Sequence, residues 1–472
     1  MARKRTTSPS DLLPELRRES GRPLRHQIEG ALRSGVRDGL LPPETRLPST
    51  RALAQDLGVS RGVVVEAYEQ LTAEGYLTTR AGSATRTASK PVEYRRQLAP
   101  QATVQVVGYD FRPGVPDLGL FPRSAWAAAL RRVTLNAPNS AFGYPDPKGV
   151  PTLRSQLAGY LAHARGVQAD EDAVVVCTGF TQALTLACDV LLEYGIDCIG
   201  VEDPCQDDQR MLLKRRGLEV WPIPVDESGV VVEALEETPA RAVLVSPAHQ
   251  FPTGVVLSPE RRCALIEWAE HRDGVIVEDD YDAEFRYDRK PVSALQGLAP
   301  ESVLYTGSAS KILAPALRIG WMIPPSRLLQ NIAEAKRAAD LGSPVLDQLA
   351  LADMIDSGGF TRHLRRARLR YGDRRAALLA ALHHHVPQAQ VTGVAAGLHA
   401  VVELPRGIDE PTLILRTQRD SVRVYGMSRY RNDGEVDPPT LVLGYGALSQ
   451  SAIGDGIASL GRAAETKPER QR

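Results

Sequence analysis

Lys311 lies in the run TGSASKILAPALR (Thr306 to Arg318), just after a short apolar segment, and an amine at a strand end can form an imine with an aldehyde. Upstream, VEDDYD (Val277 to Asp282) puts Asp279 at the end of another apolar run, with Tyr281 close behind. A carboxylate there can keep a ring nitrogen protonated, and a phenol can donate to a ring oxygen. The hydroxyls of Ser308 and Ser310, the guanidinium of Arg318 and the amides of Gly179, Phe180 and Thr181, where a helix begins, can together hold a phosphate. Amine, ring carboxylate, phenol donor and anion cradle are what pyridoxal 5'-phosphate asks of a protein. Singly each is commonplace, since most lysines are solvated and an aspartate often caps a helix. Their joint occurrence at matching strand ends carries the reading.

Alternating strands and helices must position these groups. AVVVC (173 to 177), DCIGVED (197 to 203), RAVLVS (241 to 246), GVIVED (274 to 279) and SVLYTG (302 to 307) are short apolar runs separated by helical segments. Runs apolar on both faces imply a mostly parallel sheet covered by helices. From about Ser326, an Arg-rich helical stretch (Phe360 to Leu382) and the strands LHAVVEL (398 to 404) and LVLGY (441 to 445) suggest a smaller α+β part. The expected boundaries are 1–86 for an N-terminal module, 87–108 for a linker with Pro91 and Pro100, and 109–472 for the large α/β domain.

The N-terminal module has a different pattern. Leu24, Ile28, Leu32 and Val36 predict a helix stopped near Gly39. Ser49 is placed to cap a second helix that ends at Gly58, and Ser60 a third, with Val63, Val64, Ala67, Tyr68 and Leu71 inward as far as Gly75. Tyr76 to Thr79 and Thr85 to Thr87 predict a hairpin wing around Gly82. Two short helices across a Gly-containing turn let the second enter a major groove.

The 472-residue chain has 57 basic and 57 acidic residues, yet residues 1–90 hold 15 basic against 10 acidic. A basic end joined to an acidic remainder suits a protein that touches phosphate backbone with one part only. Five cysteines with no CxxC pair argue against a disulfide or zinc framework. His383, His384 and His385 are consecutive, so on a helix they point apart and no metal is expected. No apolar run is long enough to span a bilayer, and the start MARKRTTSPSDLL lacks the core of a secretion signal, so the expected location is cytoplasmic, with no membrane partner.

LPSTRALAQDLGVSR, with the later AYEQLTAEGYL and a wing glycine, resembles the winged helix-turn-helix of GntR regulators. That resemblance places Arg51, Ser60, Arg61 and Gly82 where the family contacts DNA. Gly62 and Val65 depart from it, standing where polar side chains are common. FRPGVPDLGLFP (111 to 122), YPDPKGVPTLRSQLAGYL (144 to 161), SPAHQFPTG (246 to 254), EDDYDAEFRY (278 to 287) and GSASKILAPALRIGW (307 to 321) resemble fold-type I aminotransferases. The combination is similar to the MocR subfamily, a small α+β winged helix-turn-helix followed by a large α/β fold-type I aminotransferase-like domain. It implies an internal aldimine at Lys311, ring contacts from Asp279 and Tyr281, and Tyr144 reaching the partner's phosphate in a head-to-tail homodimer.

Three departures bear on function. Phe251 stands where aminotransferases usually carry Asn, Cys205 and Gln206 stand where EDPGY is common, and Val442 replaces the Arg that usually clamps a substrate carboxylate. A bidentate Arg–carboxylate pair is the main orienting contact for an amino acid, so its absence disfavours transamination. Arg429 is a candidate replacement; the alternative is an ordinary surface arginine. The expectation is a regulator that binds double-stranded DNA and senses pyridoxal phosphate, without an enzymatic role, as in the PdxR type that controls vitamin B6 synthesis. Competing readings are a regulator sensing an amino-acid adduct, as for γ-aminobutyrate or taurine use, an active aminotransferase with a vestigial DNA module, and a large domain that has lost its cofactor and serves only to dimerise.

Overall fold

Apolar residues recur on one face of the first helix, α1 (Leu24–Arg37), which buries Ile28, Leu32 and Val36. The computed structural model describes residues 22–79, 84–88, 107–287 and 292–465. They divide between two units, Met1–Val104 and Gln105–Arg472. Among the described residues no helix is long and apolar enough to cross a membrane.

In the first unit, α2 (Thr50–Leu57) starts where the Ser49 hydroxyl accepts from the Ala52 amide, and stops at Gly58, whose φ of 61° is left-handed. Next comes α3 (Arg61–Ala73), which buries Val64, Ala67, Tyr68 and Leu71; Val63 is only partly buried. Ser60 occupies the cap position of α3, but its side chain makes no capping bond. Residue type predicted that bond, whereas an exposed hydroxyl is also served by water. The wing strands β1 (Leu77–Thr78) and β2 (Arg86–Thr87) pair antiparallel. Thr87 is fully buried; its amide donates to the Thr45 carbonyl and its hydroxyl to that of Pro42, which ties the wing to the α1–α2 connection. Thr87, in β2, and Ala88 fall within the stretch expected to be linker.

The second unit runs β3 (Tyr109–Asp110), α4 (Arg123–Asn136), α5 (Pro151–Arg165), β4 (Val175–Cys177), α6 (Phe180–Glu193), β5 (Cys198–Asp203), α7 (Asp207–Arg215), β6 (Glu219–Asp226), β7 (Gly229–Val230) and α8 (Val232–Glu236). It continues with β8 (Ala242–Val245), α9 (Pro259–His271), β9 (Val275–Asp280), β10 (Val303–Ser308), β11 (Gly320–Ile323), α10 (Ser326–Asp340), α11 (Val345–Asp356) and α12 (Gly359–His385). The last part holds β12 (Gln390–Thr392), β13 (His399–Glu403), α13 (Glu410–Arg419), β14 (Val422–Arg423), β15 (Thr440–Gly444) and α14 (Gln450–Glu465).

The main sheet has the order β4-β11-β10-β9-β8-β5-β6-β7. β10, β9, β8, β5 and β6 are mutually parallel, while β11 runs against both β10 and β4. β9 and β10 are buried along their whole length, as strands covered on both faces must be. Val275 and Val277 pack on one face with α6 and α10, and Ile276 packs on the other, so the period-two alternation serves two cores. A separate sheet, β12-β13-β15, belongs to the C-terminal part.

Register brings the strand ends together. Thr306 of β10 lies opposite Asp279 of β9, Ser308 opposite Gly320 of β11, and Gly320 opposite Cys177 of β4. Residues that follow these ends therefore converge at one edge, the usual place for a ligand in an open parallel sheet.

Candidate functional site

That edge is a cavity of about 340 Å³, lined among others by Lys311, Asp279, Tyr281, Ser308, Ser310, Arg318, Phe180 and Thr181. Lys311 Nζ donates to the Gly114 carbonyl at 2.6 Å. Gly114 has φ of +71°, a turn that favours glycine. Burial lowers the Lys311 pKa, and the charges of Asp282 and Asp279 oppose that fall. Asp279, almost fully buried at the end of β9, accepts from Gln209 Nε2 at 2.9 Å. Burial pushes its carboxyl up to about 7, with the Gln209 bond pulling the other way. The Tyr281 phenol is held well above its ordinary pKa, first by burial and then by Asp282, so it stays a protonated donor.

The phosphate side is built from two glycines and a guanidinium. Gly179, with φ of +91°, precedes α6 and offers no side-chain cap, so the first amides of that helix point outward unpaired by the helix itself. A Cβ on Gly179 would lie 3.0 Å from Arg318 Nη2, and one on Gly320 would lie 2.8 Å from Gly179 Cα. Arg318, itself left-handed at φ 51°, donates to the Thr178 carbonyl. Glycine at 179 thus leaves open the hollow between the guanidinium and the helix start. These groups fit pyridoxal 5'-phosphate: a cradle for the anion, a buried carboxyl for the ring nitrogen, a phenol and an amine.

Two predicted residues lie elsewhere. Tyr144 is 91% exposed and does not line the cavity. Arg429 also stays outside; its guanidinium is paired with Asp207 at 3.1 Å and it lines an adjoining cavity of about 650 Å³ with Arg112, Arg423 and Tyr425. Val442 is fully buried in β15, packed with Val401, Met427, Tyr430 and Phe251. Gln250 is structural: its Nε2 donates to the carbonyls of Pro204 and Phe251, and its Oε1 accepts from Thr253. Gln209, Gly114 and Asp282 were missed in sequence. Gly114 and Asp282 lay within the runs FRPG and VEDDYD, but nothing local gave either a role.

In the first unit Arg51, Ser60 and Arg61 are exposed around the α2–α3 turn, and Arg61 Nε lies 3.4 Å from Thr50 Oγ1. Gly82 lies outside the described residues.

Comparison with known proteins joins the two units. The family described as bacterial regulatory proteins of the gntR family matches residues 24–86, and aminotransferase class I and II matches residues 114–419. The chain is 32% identical to the probable rhizopine catabolism regulatory protein MocR of Rhizobium meliloti, covering 94% of each chain. It is 34% identical to the pyridoxine biosynthesis transcriptional regulator PdxR of Corynebacterium glutamicum, over 90% of this chain and 93% of that one. Among solved structures it is similar to Pyrococcus horikoshii kynurenine aminotransferase, with a TM-score of 0.70 at 27% identity, over 77% of this chain and 91% of the other. A GntR-type DNA-binding module followed by an aminotransferase-like domain, with whole-length relatives that are regulators, makes this chain a member of the MocR-type family of transcriptional regulators.

Proposed function

We propose that this regulator holds pyridoxal 5'-phosphate at Lys311 and that occupancy of the site changes its grip on operator DNA. The observation that carries this reading is the convergence of Lys311, Asp279, Tyr281 and the Gly179–Arg318 cradle on one cavity. When bound, the cofactor supplies an aldehyde for the lysine and a ring that absorbs visible light. Asp279 would hold the ring nitrogen, Tyr281 the ring oxygen, and Ser308, Ser310, Arg318 and the amides of Gly179, Phe180 and Thr181 the phosphate. Tyr144, exposed beside Phe142, is assigned to the phosphate held by the partner in a head-to-tail homodimer.

The effector is read as pyridoxal phosphate itself. Among the described residues, Lys311 and Arg318 are the only cations lining the cavity, and both are committed to the cofactor. No lining cation remains for an amino acid's carboxylate, and buried Val442 stands where a clamp is expected. The name of the PdxR relative agrees with a role in vitamin B6 synthesis, and the same lack of a clamp disfavours transamination. A second reading, an amino-acid adduct, is favoured by one observation: Arg112, Arg423 and Arg429 line the adjoining cavity, which shares Gln206 and Asp208 with the first.

The test is a titration of the protein against DNA from its own upstream region, with and without pyridoxal phosphate, and with the cofactor plus amino acids. A change in affinity or footprint with the cofactor alone supports the B6 reading. A change only when an amino acid is added supports the adduct. DNA binding that ignores both sinks the sensing proposal. In the same assay Arg61→Ala is expected to weaken DNA binding by about 10-fold or more, in line with ~1–3 kcal/mol for a groove or phosphate contact. Unchanged affinity would remove Arg61 from the DNA interface.

A further inference from the structure

Beside Tyr281 lies a buried cluster that the cofactor reading leaves without a task. His249 is 3% exposed, and its Nδ1 lies 3.0 and 3.1 Å from the two oxygens of Asp282 and 3.1 Å from the Tyr281 hydroxyl oxygen. Asp282 is 1% exposed. Two glycines make room for the pair: a Cβ on Gly397 would lie 2.3 Å from His249 Cε1 and 2.5 Å from Asp282 Oδ2, and one on Gly254 would lie 3.5 Å from His249 Nε2. Behind the imidazole the His399 ring lies tilted, its centroid 5.2 Å away.

The proton positions follow from what each group can do. An ionised carboxylate only accepts, so the His249 Nδ1 proton points to Asp282. A nitrogen that carries a proton cannot also accept from Tyr281. The phenol oxygen can share that N–H, but the phenol's own proton is not consumed by the ring. His399 Nε2 lies 3.0 Å from the Pro252 carbonyl and donates to it, and burial lowers its pKa to about 3, so it remains neutral and adds no charge. Among the described residues the other titratable groups facing the cluster are Asp279 and Glu202, which with Asp282, itself within reach of the phenol, raise the Tyr281 pKa, together with Lys311 and with Tyr287 and Tyr445, both of which feel the Asp282 charge.

We propose that His249, fixed by Asp282, is a positioning residue for Tyr281: it satisfies the buried carboxylate with its own N–H and leaves the phenol proton free to be given to the cofactor's ring oxygen. Without it Asp282 would compete for that proton. The inference rests on the reading of Tyr281 as a ring contact.

The test uses the full chain reconstituted with pyridoxal phosphate and follows the visible absorbance band against pH, since a donor to the ring oxygen sets the midpoint of that titration. His249→Phe is expected to move the midpoint by about one pH unit, the scale of one lost polar contact at a buried ionising site. His249→Asn, whose amide can donate to Asp282 from nearly the same place, should restore most of the shift. Tyr281→Phe should also move it, and the double variant should add little to either single change, as expected of residues acting as a unit. A wild-type midpoint in His249→Phe, with Tyr281→Phe shifted, would reduce His249 to packing and overturn the inference. An unmoved midpoint in Tyr281→Phe would overturn it differently, by removing Tyr281 from the ring. Nitrogen-15 NMR of the cofactor-free wild type gives a check that needs no variant to fold: a proton on Nδ1 of His249 is expected, and a bare Nδ1 would refute the proposal.

Discussion

Replacing Lys311 with alanine is expected to abolish the response of DNA binding to pyridoxal phosphate, while cofactor-free DNA affinity stays within about twofold of wild type. The lysine is part-buried, and that burial lowers its pKa against the opposing charges of Asp282 and Asp279, which enlarges the neutral fraction that can attack an aldehyde. Its hydrogen bond to the Gly114 carbonyl aims the amine across the cavity, and among the described residues no other amine lines the wall. The variant keeps Asp279 and the phosphate cradle, so pyridoxal phosphate can still dock without a covalent link. An effector shifts an equilibrium only as far as its affinities for the two states differ. If the two DNA-binding states differ in how they hold the lysine-linked ring, docking alone has nothing to bias. Anisotropy with labelled upstream DNA, together with loss of the visible band, measures both parts. A variant that responds like wild type would place the sensing in the cradle around Arg318 and Gly179 instead.

How far the sequence foretold this site depends on the range of the contacts concerned. Strand ends were legible because β9 and β10 are apolar on both faces and stop at polar residues, so Asp279 and Ser308 announced themselves. The helices of the DNA-binding module were legible because Ser49 and Gly58 mark their ends. Contacts between distant segments left no trace. Gln209 is one polar residue on a charged helix, and only the fold brings its amide to Asp279. Arg429 looked free for a ligand because its partner, Asp207, is 222 residues away in sequence. His249 lay within SPAHQFPTG, but its meaning came from Asp282 and from the glycines that leave room for the pair. A hydrogen bond across the fold is set by packing, and no local pattern encodes it.

Asp279→Asn is the second large effect, expected to weaken pyridoxal phosphate binding by about 10- to 100-fold, the scale of a lost hydrogen bond to a charged group at ~1.5–3 kcal/mol. Asparagine keeps the shape and can still meet Gln209, but it cannot balance a protonated ring nitrogen. The same substitution carries a pH signature. Burial raises the Asp279 carboxyl to about 7, so the folded chain holds this proton more tightly than the unfolded chain, where the group titrates at about 4. Stability from this group is therefore fully present below about pH 4 and is lost as pH rises through about 7. Glu202, Glu278 and Glu284 are also raised by burial, to about 8, 7 and 7, so the cofactor-free protein should become less stable over this range whichever residue stands at 279. Those three groups are common to both proteins, so the wild-type minus Asp279→Asn difference in melting temperature reports position 279 together with its charge coupling to Glu202. It should fall between pH 5 and pH 8, and the fall should shrink once the cofactor brings a cation to the carboxylate. A difference that stays flat with pH would mean that Asp279 is already ionised in the empty pocket, and the weakened binding would then have to come from geometry instead of charge.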